Sequence, residues 1–549
     1  MESLELFYKR FCKEGFDENG VLNYFAPKYD RDFNFTNDIV DEIARNYPDK
    51  LALVWCNENG DEKSFTFGQI KEYADKCAKY FQSHGIKKGD MVMLVLKRHY
   101  QYWGAALGLH KLGAVVIPAT HLLTVKDLVY RFNAATVKAI VCTPDGELSQ
   151  YAEEAMKECK CVDKRFIVRG PKDGWEDFDA GVAASDGNYN KVSVNAFDPF
   201  LMYFTSGTTG HPKMVLHDNT YPLGHIVTSK HWHNSTPDGL HLTVADTGWA
   251  KAGWGKLYGQ WIIGTAIFVY DYDKFDANAL LEIIEKYKIT TFCAPATIYR
   301  FFVKEGLGGH DLSSLKYASI AGEALNAEVF ERFREYTGIM LMEGFGQSES
   351  VIMLGNLVGS TPKPGSMGKP IPLYDIDLVD ADGESVEAGV VGEIVIRLPK
   401  GKKQIGLLTE YYRNEERTYE AMHDGLYHTG DTAWKDQDGY YWYVGRTDDL
   451  IKSSGYRIGP FEIESVLMEH PAVLECAITG VPDPVRGQVV KATIVLTSQF
   501  KPSDELAKEL QEHTKHLTAP YKYPRIVEFV SDLPKTISGK IKRKDIREK

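Results

Sequence analysis

Residues 199–213 read PFLMYFTSGTTGHPK, an apolar run passing into hydroxyls, glycines and a lysine. Thr205, Ser206, Thr208 and Thr209 surround Gly207 and Gly210, and Lys213 closes the stretch. Glycines let backbone N–H groups turn inward around an anion, the hydroxyls add donors, and the lysine adds positive charge. The chemistry this suggests is phosphate binding. The spacing is not the Walker pattern, which sets four residues between a glycine and Gly-Lys. A flexible Ser/Thr/Gly linker is the bland alternative, and the strand-like run before the loop and the Pro-Lys ending argue against it. Cys159 and Cys161 form a C-x-C pair, but no cysteine spacing matches a zinc site, and all eight cysteines read as ordinary thiols.

Such a loop needs a rigid frame. The runs 91–96, 114–118 and 139–142 read as buried strands, separated by helical patterns at 67–84 and 100–112. This alternation predicts a mainly parallel sheet covered by helices. A second α/β set follows, with strands at 265–270 and 290–293 and a helix near 278–287. From residue 375 the texture changes to short strands with polar turns (374–379, 392–396, 439–444), a small antiparallel β-rich subdomain. The last hundred or so residues form a domain-sized piece. They suggest a compact α+β domain: a helix from Pro460, strands near Ala477 and Ala492, a helix from Ser503 and a strand near Arg525. The fold class is α/β, with an N-terminal domain (1–447) of two sheet subdomains plus the β-rich one, and a C-terminal α+β domain (448–549).

Composition narrows the partners. A formal charge of −12 and a pI near 5.8 argue against nucleic acid as the main ligand. Apolar content of 44% and charged content of 26% are those of a globular protein. The start, MESLELF, carries acids early, unlike a secretory or mitochondrial leader, and no apolar run reaches membrane-spanning length. A cytoplasmic enzyme is the expectation.

Further motifs follow in order: AGEAL (321–325), GFGQSE (344–349), GSMGKP (365–370), YHTGD (427–431), GRTDDLIKSSGYR (445–457) and PKTISGK (534–540). With the phosphate loop they resemble the adenylate-forming superfamily of acyl-CoA synthetases, luciferases and peptide-synthetase adenylation domains, and within it the medium-chain acyl-CoA synthetases. The resemblance implies an ATP-dependent acid–thiol ligase that joins a small carboxylic acid to AMP and then to CoA. ATP, Mg²⁺ and coenzyme A are the implied cofactors and co-substrates. By resemblance, the catalytic set is Lys540, Glu349, Lys213 and Arg446. Glu349 would help hold Mg²⁺. Gly322, Glu323 and the backbone of Gly344, Phe345, Gly346, Gln347 and Ser348 would border the adenine. Asp431 would accept the ribose hydroxyls, Arg446 would bind the ribose-phosphate region, and Lys540 would reach the carboxylate and the α-phosphate. Both reactants are anionic, which is why positive charge is needed where negative charge develops. The C-terminal domain would be mobile, rotating at Asp448 between two steps so that Ser454, Gly455, Tyr456 and Arg457 line the CoA path. Lys542, Arg543 and Lys544 are expected to face solvent. Acetylation of Lys540 by an acetyltransferase, reversed by a deacetylase, would remove its charge. A homodimer is compatible with this reading.

The acyl pocket is expected from the segment 244–254, from 321–322 and from 345–346, with Trp249, Ala250, Lys251, Trp254 and Gly346 as candidate lining. Acetate-specific relatives carry tryptophan where this chain has Gly346, so glycine there predicts a pocket open to longer acids: propionate, butyrate, branched, medium-chain or benzoate-like. Lys251, Trp254 and Lys256 fit substrate contact and a packing role equally well, and Trp254 could refill the pocket from another side. The alternatives are an acetyl- or propionyl-CoA synthetase, an adenylation enzyme loading a carrier protein, with Asp246 facing a substrate amino group, a luciferase-like oxidase, and a non-catalytic homologue. Asp-Thr-Gly-Trp at 246–249, and the lack of a carrier segment after 549, favour the CoA branch.

Overall fold

The computed structural model describes residues 3–205, 211–322, 325, 327–454, 456–536 and 540–547. The chain forms two compact units. The first comprises the described residues up to 205 with 211–374 and 399–419, the second those of 375–398 and 420–547. The β-rich stretch expected within an N-terminal domain ending at 447 thus clusters with the C-terminal segment.

Two large sheets dominate the first unit. One has eight strands, in the order Glu410–Tyr411, Lys213–Asp218, Pro199–Thr205, Val115–Pro118, Met91–Val95, Ala139–Cys142, Lys164–Ile167, Glu176–Asp177. It is parallel from Pro199–Thr205 onward and antiparallel at the loop-bearing edge. The other has nine strands, in the order Lys369–Pro370, Ile352–Gly355, Leu341–Gly346, Tyr317–Ile320, Thr291–Ala294, Leu240–Thr243, Ala266–Asp271, Leu51–Asn57, Glu62–Thr66. Strands buried on both faces read as continuous apolar runs, as Met91–Val95 and Ala139–Cys142 do. The helix Phe67–Ser83 starts at a capping box in which Thr66 and Gln69 satisfy each other's backbone N–H.

The hairpin from Leu51–Asn57 to Glu62–Thr66 precedes the first strands of the eight-stranded sheet in sequence, yet it joins the nine-stranded sheet, parallel to Ala266–Asp271. The two sheets are therefore not consecutive along the chain.

In the second unit, Asp375–Val379, Gly392–Arg397, Leu426–Lys435, Met422–His423 and Tyr441–Arg446 form an antiparallel sheet. The C-terminal part pairs Ile451–Ser453, Tyr456–Ile458, Val473–Asp483, Gly487–Leu496 and Ile526–Phe529 against the helices Pro460–Met468 and Asp504–Leu517. Its core is Ile451, Ile463, Leu467, Ile478, Ile494 and Leu510 with their neighbours.

Candidate active site

In the first unit the strands Pro199–Thr205 and Lys213–Asp218, which flank the loop expected to bind phosphate, are antiparallel, and Thr205 and Lys213 are paired Cα partners. The pairing fixes both ends of the loop. Ser206, Gly207, Thr208, Thr209 and Gly210 lie outside the described residues. The strand Lys213–Asp218 also pairs with Glu410–Tyr411, which brings Tyr411 beneath the lysine. Lys213 Nζ is 5.1 Å from the Tyr411 ring centre. The Tyr411 hydroxyl donates to Glu349 Oε1 at 2.9 Å, and Glu349 is buried. One aromatic ring thus joins the loop's cation to the carboxylate. No sequence motif marks Tyr411: it lies far along the chain from both partners, and sheet pairing assembles the three. Among the described residues no group of three or more His, Cys, Asp or Glu side chains forms a metal cage. A single carboxylate suits Mg²⁺ whose other ligands are phosphates and waters.

The segment expected around the adenine is the strand Leu341–Gly346 and its continuation. Trp232 Nε1 donates to the Met342 carbonyl at 3.0 Å. His217, on the lysine's strand, pairs its Nε2 with the Ser348 carbonyl at 2.8 Å. Burial holds His217 down to about 3, so the ring is neutral at pH 7 and Nε2 carries the donated hydrogen. His217 therefore ties the phosphate-loop strand to 344–348 without adding charge. Glu343, one residue before Gly344, is pushed up to about 8 by burial, with the Leu325 N–H acting the other way. It is protonated at pH 7. Gly322 adopts φ +103°, a conformation that suits glycine, and Glu323 lies outside the described residues.

Trp249 leads into the short helix Ala250–Gly255. Lys251 Nζ donates to the Ala321 carbonyl at 2.7 Å, linking this helix to the 321–322 turn. Trp254 is buried and occupies the space in front of Gly346. A Cβ built on Gly346 would lie 2.3 Å from Trp254 Cη2 and 2.7 Å from the Val351 carbonyl oxygen. The volume expected to be open at Gly346 is filled by this indole, supplied from another position. Lys256 is buried and, with Arg98, Thr243, Val244, Ala245 and Tyr272, lines a small cavity. Burial, then Arg98, lowers its amine to about 7. Asp246, the partner an amino-acid substrate would need, accepts from the Gly248 N–H at 2.7 Å and pairs with His121 at 3.0 Å.

In the second unit Asp431 and Arg446 are cross-strand partners. Buried Asp431 accepts from the Tyr443 hydroxyl at 3.0 Å and from Arg446 Nη1 at 3.4 Å. Arg446 Nη1 also donates to the Thr429 carbonyl at 3.1 Å, which fixes the guanidinium beside the carboxylate. Asp448 Oδ1 is 3.7 Å from Arg446 Nε. Ser454 has φ +50°, and its N–H donates to the Arg486 carbonyl at 2.9 Å. Tyr456 stacks on Tyr521 with ring centres 4.0 Å apart. Gly455 and the Arg457 side chain lie outside the described residues. Lys540 is exposed; its N–H donates to Thr536 Oγ1 at 3.1 Å and its carbonyl accepts the Thr536 N–H at 2.7 Å. Arg543, expected to face solvent with Lys542 and Lys544, instead makes a forked pair with Glu464 at 2.7 and 2.8 Å. Its neighbours in the basic run disguised it.

The antiparallel strand pair closed by Thr205 and Lys213, with its lysine–tyrosine–glutamate contact, stands on α/β sheets shared with a known class of enzymes. Residues 40–412 match the AMP-binding enzyme family and 462–540 the AMP-binding enzyme C-terminal domain. The chain belongs to this family. It is 41% identical over 532 residues to acyl-coenzyme A synthetase ACSM5, mitochondrial, of Rattus norvegicus, covering 95% of this chain and 91% of the relative. Against acyl-coenzyme A synthetase ACSM3, mitochondrial, of Homo sapiens the identity is 38% over 534 residues, covering 95% and 90%. Among solved structures, an anthranilate CoA ligase, AuaEII, in complex with anthranoyl-AMP matches with a TM-score of 0.85 at 28% identity, covering 95% of this chain and 98% of that one. A benzoate CoA ligase from Burkholderia xenovorans LB400 matches with a TM-score of 0.81 at 27% identity, covering 94% and 100%. The chain is an AMP-forming acyl-CoA synthetase that uses ATP and CoA. The cytoplasmic expectation is corrected: the curated relatives are named as mitochondrial enzymes. That expectation rested on one N-terminal stretch, whose charge pattern does not determine a compartment. Among the described residues no helix is long and apolar enough to cross a membrane.

Proposed function

We propose that the protein activates a carboxylic acid longer than acetate, medium-chain, branched or aromatic, in two steps on one site. The carboxylate attacks the α-phosphorus of ATP and pyrophosphate leaves. The CoA thiol then attacks the acyl carbon of the adenylate and AMP leaves. The observation that carries the reading is the Lys213–Tyr411–Glu349 contact. It gathers a cation and a buried carboxylate around one tyrosine next to the expected phosphate loop, charges of the kind a triphosphate and its metal require. Glu349 would hold Mg²⁺, which would neutralise charge on the phosphate oxygens. Lys213 draws on the phosphates, and His217 keeps the loop strand and the 344–348 backbone in register. Asp431, held by Tyr443 and Arg446, accepts the ribose hydroxyls. Lys540 places its ammonium between the carboxylate and the α-phosphate in the first step. A rotation about Asp448 then withdraws it and brings 454–457 to the CoA path, so that the boundary near 447–448 is a hinge. Trp254 sets the acyl pocket's depth.

The test is Lys540→Ala, assayed on the two half-reactions separately. Pyrophosphate exchange should fall by three orders of magnitude or so, in the range of the ~10²–10⁴-fold contributions of positioned catalytic groups. Thioester formation from a supplied acyl-adenylate should stay within a few fold. Equal loss of both halves would remove Lys540 from its role. Lys540 is exposed, so an acetyltransferase can reach it, and a homogeneously acetylated preparation should match the alanine variant.

A further inference from the structure

The short helix Arg543–Arg547 begins three residues after Lys540. Its two arginines reach back to the segment that carries the hinge. Arg543 Nη2 meets both oxygens of Glu464, and its Nη1 approaches Asp449 Oδ2 at 3.4 Å. Arg547 Nη1 donates to the Asp448 carbonyl at 3.0 Å, and its Nη2 to Asp449 Oδ1 at 2.9 Å. Glu464 lies on the helix Pro460–Met468, directly after the 445–459 segment, and its Oε1 also accepts the Ile478 N–H at 2.9 Å. The acids are well covered, with side chains 12–13% exposed. Charged hydrogen bonds in such a setting are strong and directional, and the forked arginine–carboxylate pair fixes geometry as well as charge. On its other face the helix is anchored by Ile546, packed with Ala477, Val495 and Leu533.

The described residues on either side of Lys540 are held near the same helix. Lys535 and Ile541 form a β-bridge, and the Lys542 N–H donates to the Pro534 carbonyl at 2.8 Å. From Lys540 to the hinge there is therefore a continuous path of backbone pairing and ion pairs within the second unit.

We propose that Arg543 and Arg547, through Asp449 and Glu464, are positioning residues for the adenylation step: they clamp Lys540 and the helix that follows it to residues 448–449, so that a rotation at the hinge carries Lys540 as part of one rigid lever. Without the clamp this segment is held only by the Lys535–Ile541 bridge and the packing of Ile546, and the Lys540 ammonium samples positions away from the reacting oxygens. Misplacement by about 1 Å costs on the order of a hundredfold in rate. The thioester step, in which Lys540 has left, is indifferent to the clamp. This rests on the role given to Lys540 above.

Arg547→Met is the main variant, because Arg547 is the more exposed of the two, at 32% against 22% for the side chains. Arg543→Lys keeps the charge and loses the fork, which covers the case in which a larger change at Arg543 prevents folding. Both are compared with Lys540→Ala in pyrophosphate exchange and in thioester formation from supplied acyl-adenylate. In Arg547→Met the adenylation kcat should fall roughly tenfold to a hundredfold, with the KM for ATP unchanged within about twofold. Its thioester half-reaction should hold within threefold. Arg543→Lys should show the same split more weakly. Asp449→Asn combined with Arg547→Met should lose less than the sum of the two single losses, because both break the Arg547–Asp449 contact. Unchanged adenylation in Arg547→Met, or an equal fall in both half-reactions, overturns the clamp. If Lys540→Ala itself adenylates normally, the reading of Lys540 fails, and the clamp with it.

Discussion

Trp254 and Gly346 compete for one space, and that competition predicts substrate range. A Cβ at position 346 would sit 2.3 Å from Trp254 Cη2 and 2.7 Å from the Val351 carbonyl oxygen, which is backbone and yields little. Gly346→Ala should therefore overpack the site, at a cost of about 1–3 kcal/mol in stability. Gly346→Trp cannot plug an open pocket, because no open volume exists in front of the glycine. The informative perturbation is Trp254→Ala. If the vacated space accepts three further methylenes of the acyl chain, each worth ~0.8 kcal/mol, the longer acid gains about 2.4 kcal/mol relative to wild type, or roughly fiftyfold in relative kcat/KM. The assay is AMP formation with CoA for a straight-chain series of acids, measured as kcat/KM ratios. Combining both changes adds an internal check. Gly346→Ala should be markedly less destabilising in the Trp254→Ala background, since the indole clash has gone. An acid profile unmoved by Trp254→Ala would remove this residue from the pocket. Strict additivity of the two stability changes would deny their contact.

Other expectations concern the supporting residues. Glu343 has its carboxyl raised from 4.5 to about 8 by burial; between those pH values the folded protein holds a proton that the unfolded chain has lost, so stability falls as pH rises through that window. Glu343→Gln should flatten this slope and stabilise the protein by on the order of 3 kcal/mol at pH 7, read from urea unfolding at pH 5 and pH 8; an unaltered slope would refute the burial argument. Tyr411→Phe removes the 2.9 Å hydrogen bond to Glu349. A bond to a charged group contributes about 1.5–3 kcal/mol, so the apparent Mg²⁺ requirement should rise at least tenfold while the fold holds, and an unchanged Mg²⁺ titration would detach Tyr411 from the carboxylate's work.

The local pattern revealed elements better than it revealed their assembly. Strands such as Ala139–Cys142 and the helix Phe67–Ser83 stand within a residue of their expected places, because a buried apolar run and a capping box are properties of a few adjacent residues. The hairpin Leu51–Asn57 to Glu62–Thr66 crosses to the nine-stranded sheet because of its pairing with Ala266–Asp271, which no local pattern encodes. The same divide runs through the site. The loop hydroxyls, Glu349 and Lys540 stand in recognisable motifs. Tyr411 and His217 acquire their roles only from sheet register, and Trp254 only from packing against Gly346. Arg543 looked like one charge among many in a basic run, and its partners Glu464 and Asp449 lie 79 and 94 residues away.

The most direct test of the whole account is release of AMP by the intact protein with ATP and Mg²⁺, with and without CoA, across two- to twelve-carbon, branched and aromatic acids. The account predicts CoA-dependent AMP and acyl-CoA in equal amounts, with an acid longer than acetate turned over fastest. AMP release that ignores CoA, or a clear preference for acetate over every longer acid, would contradict it.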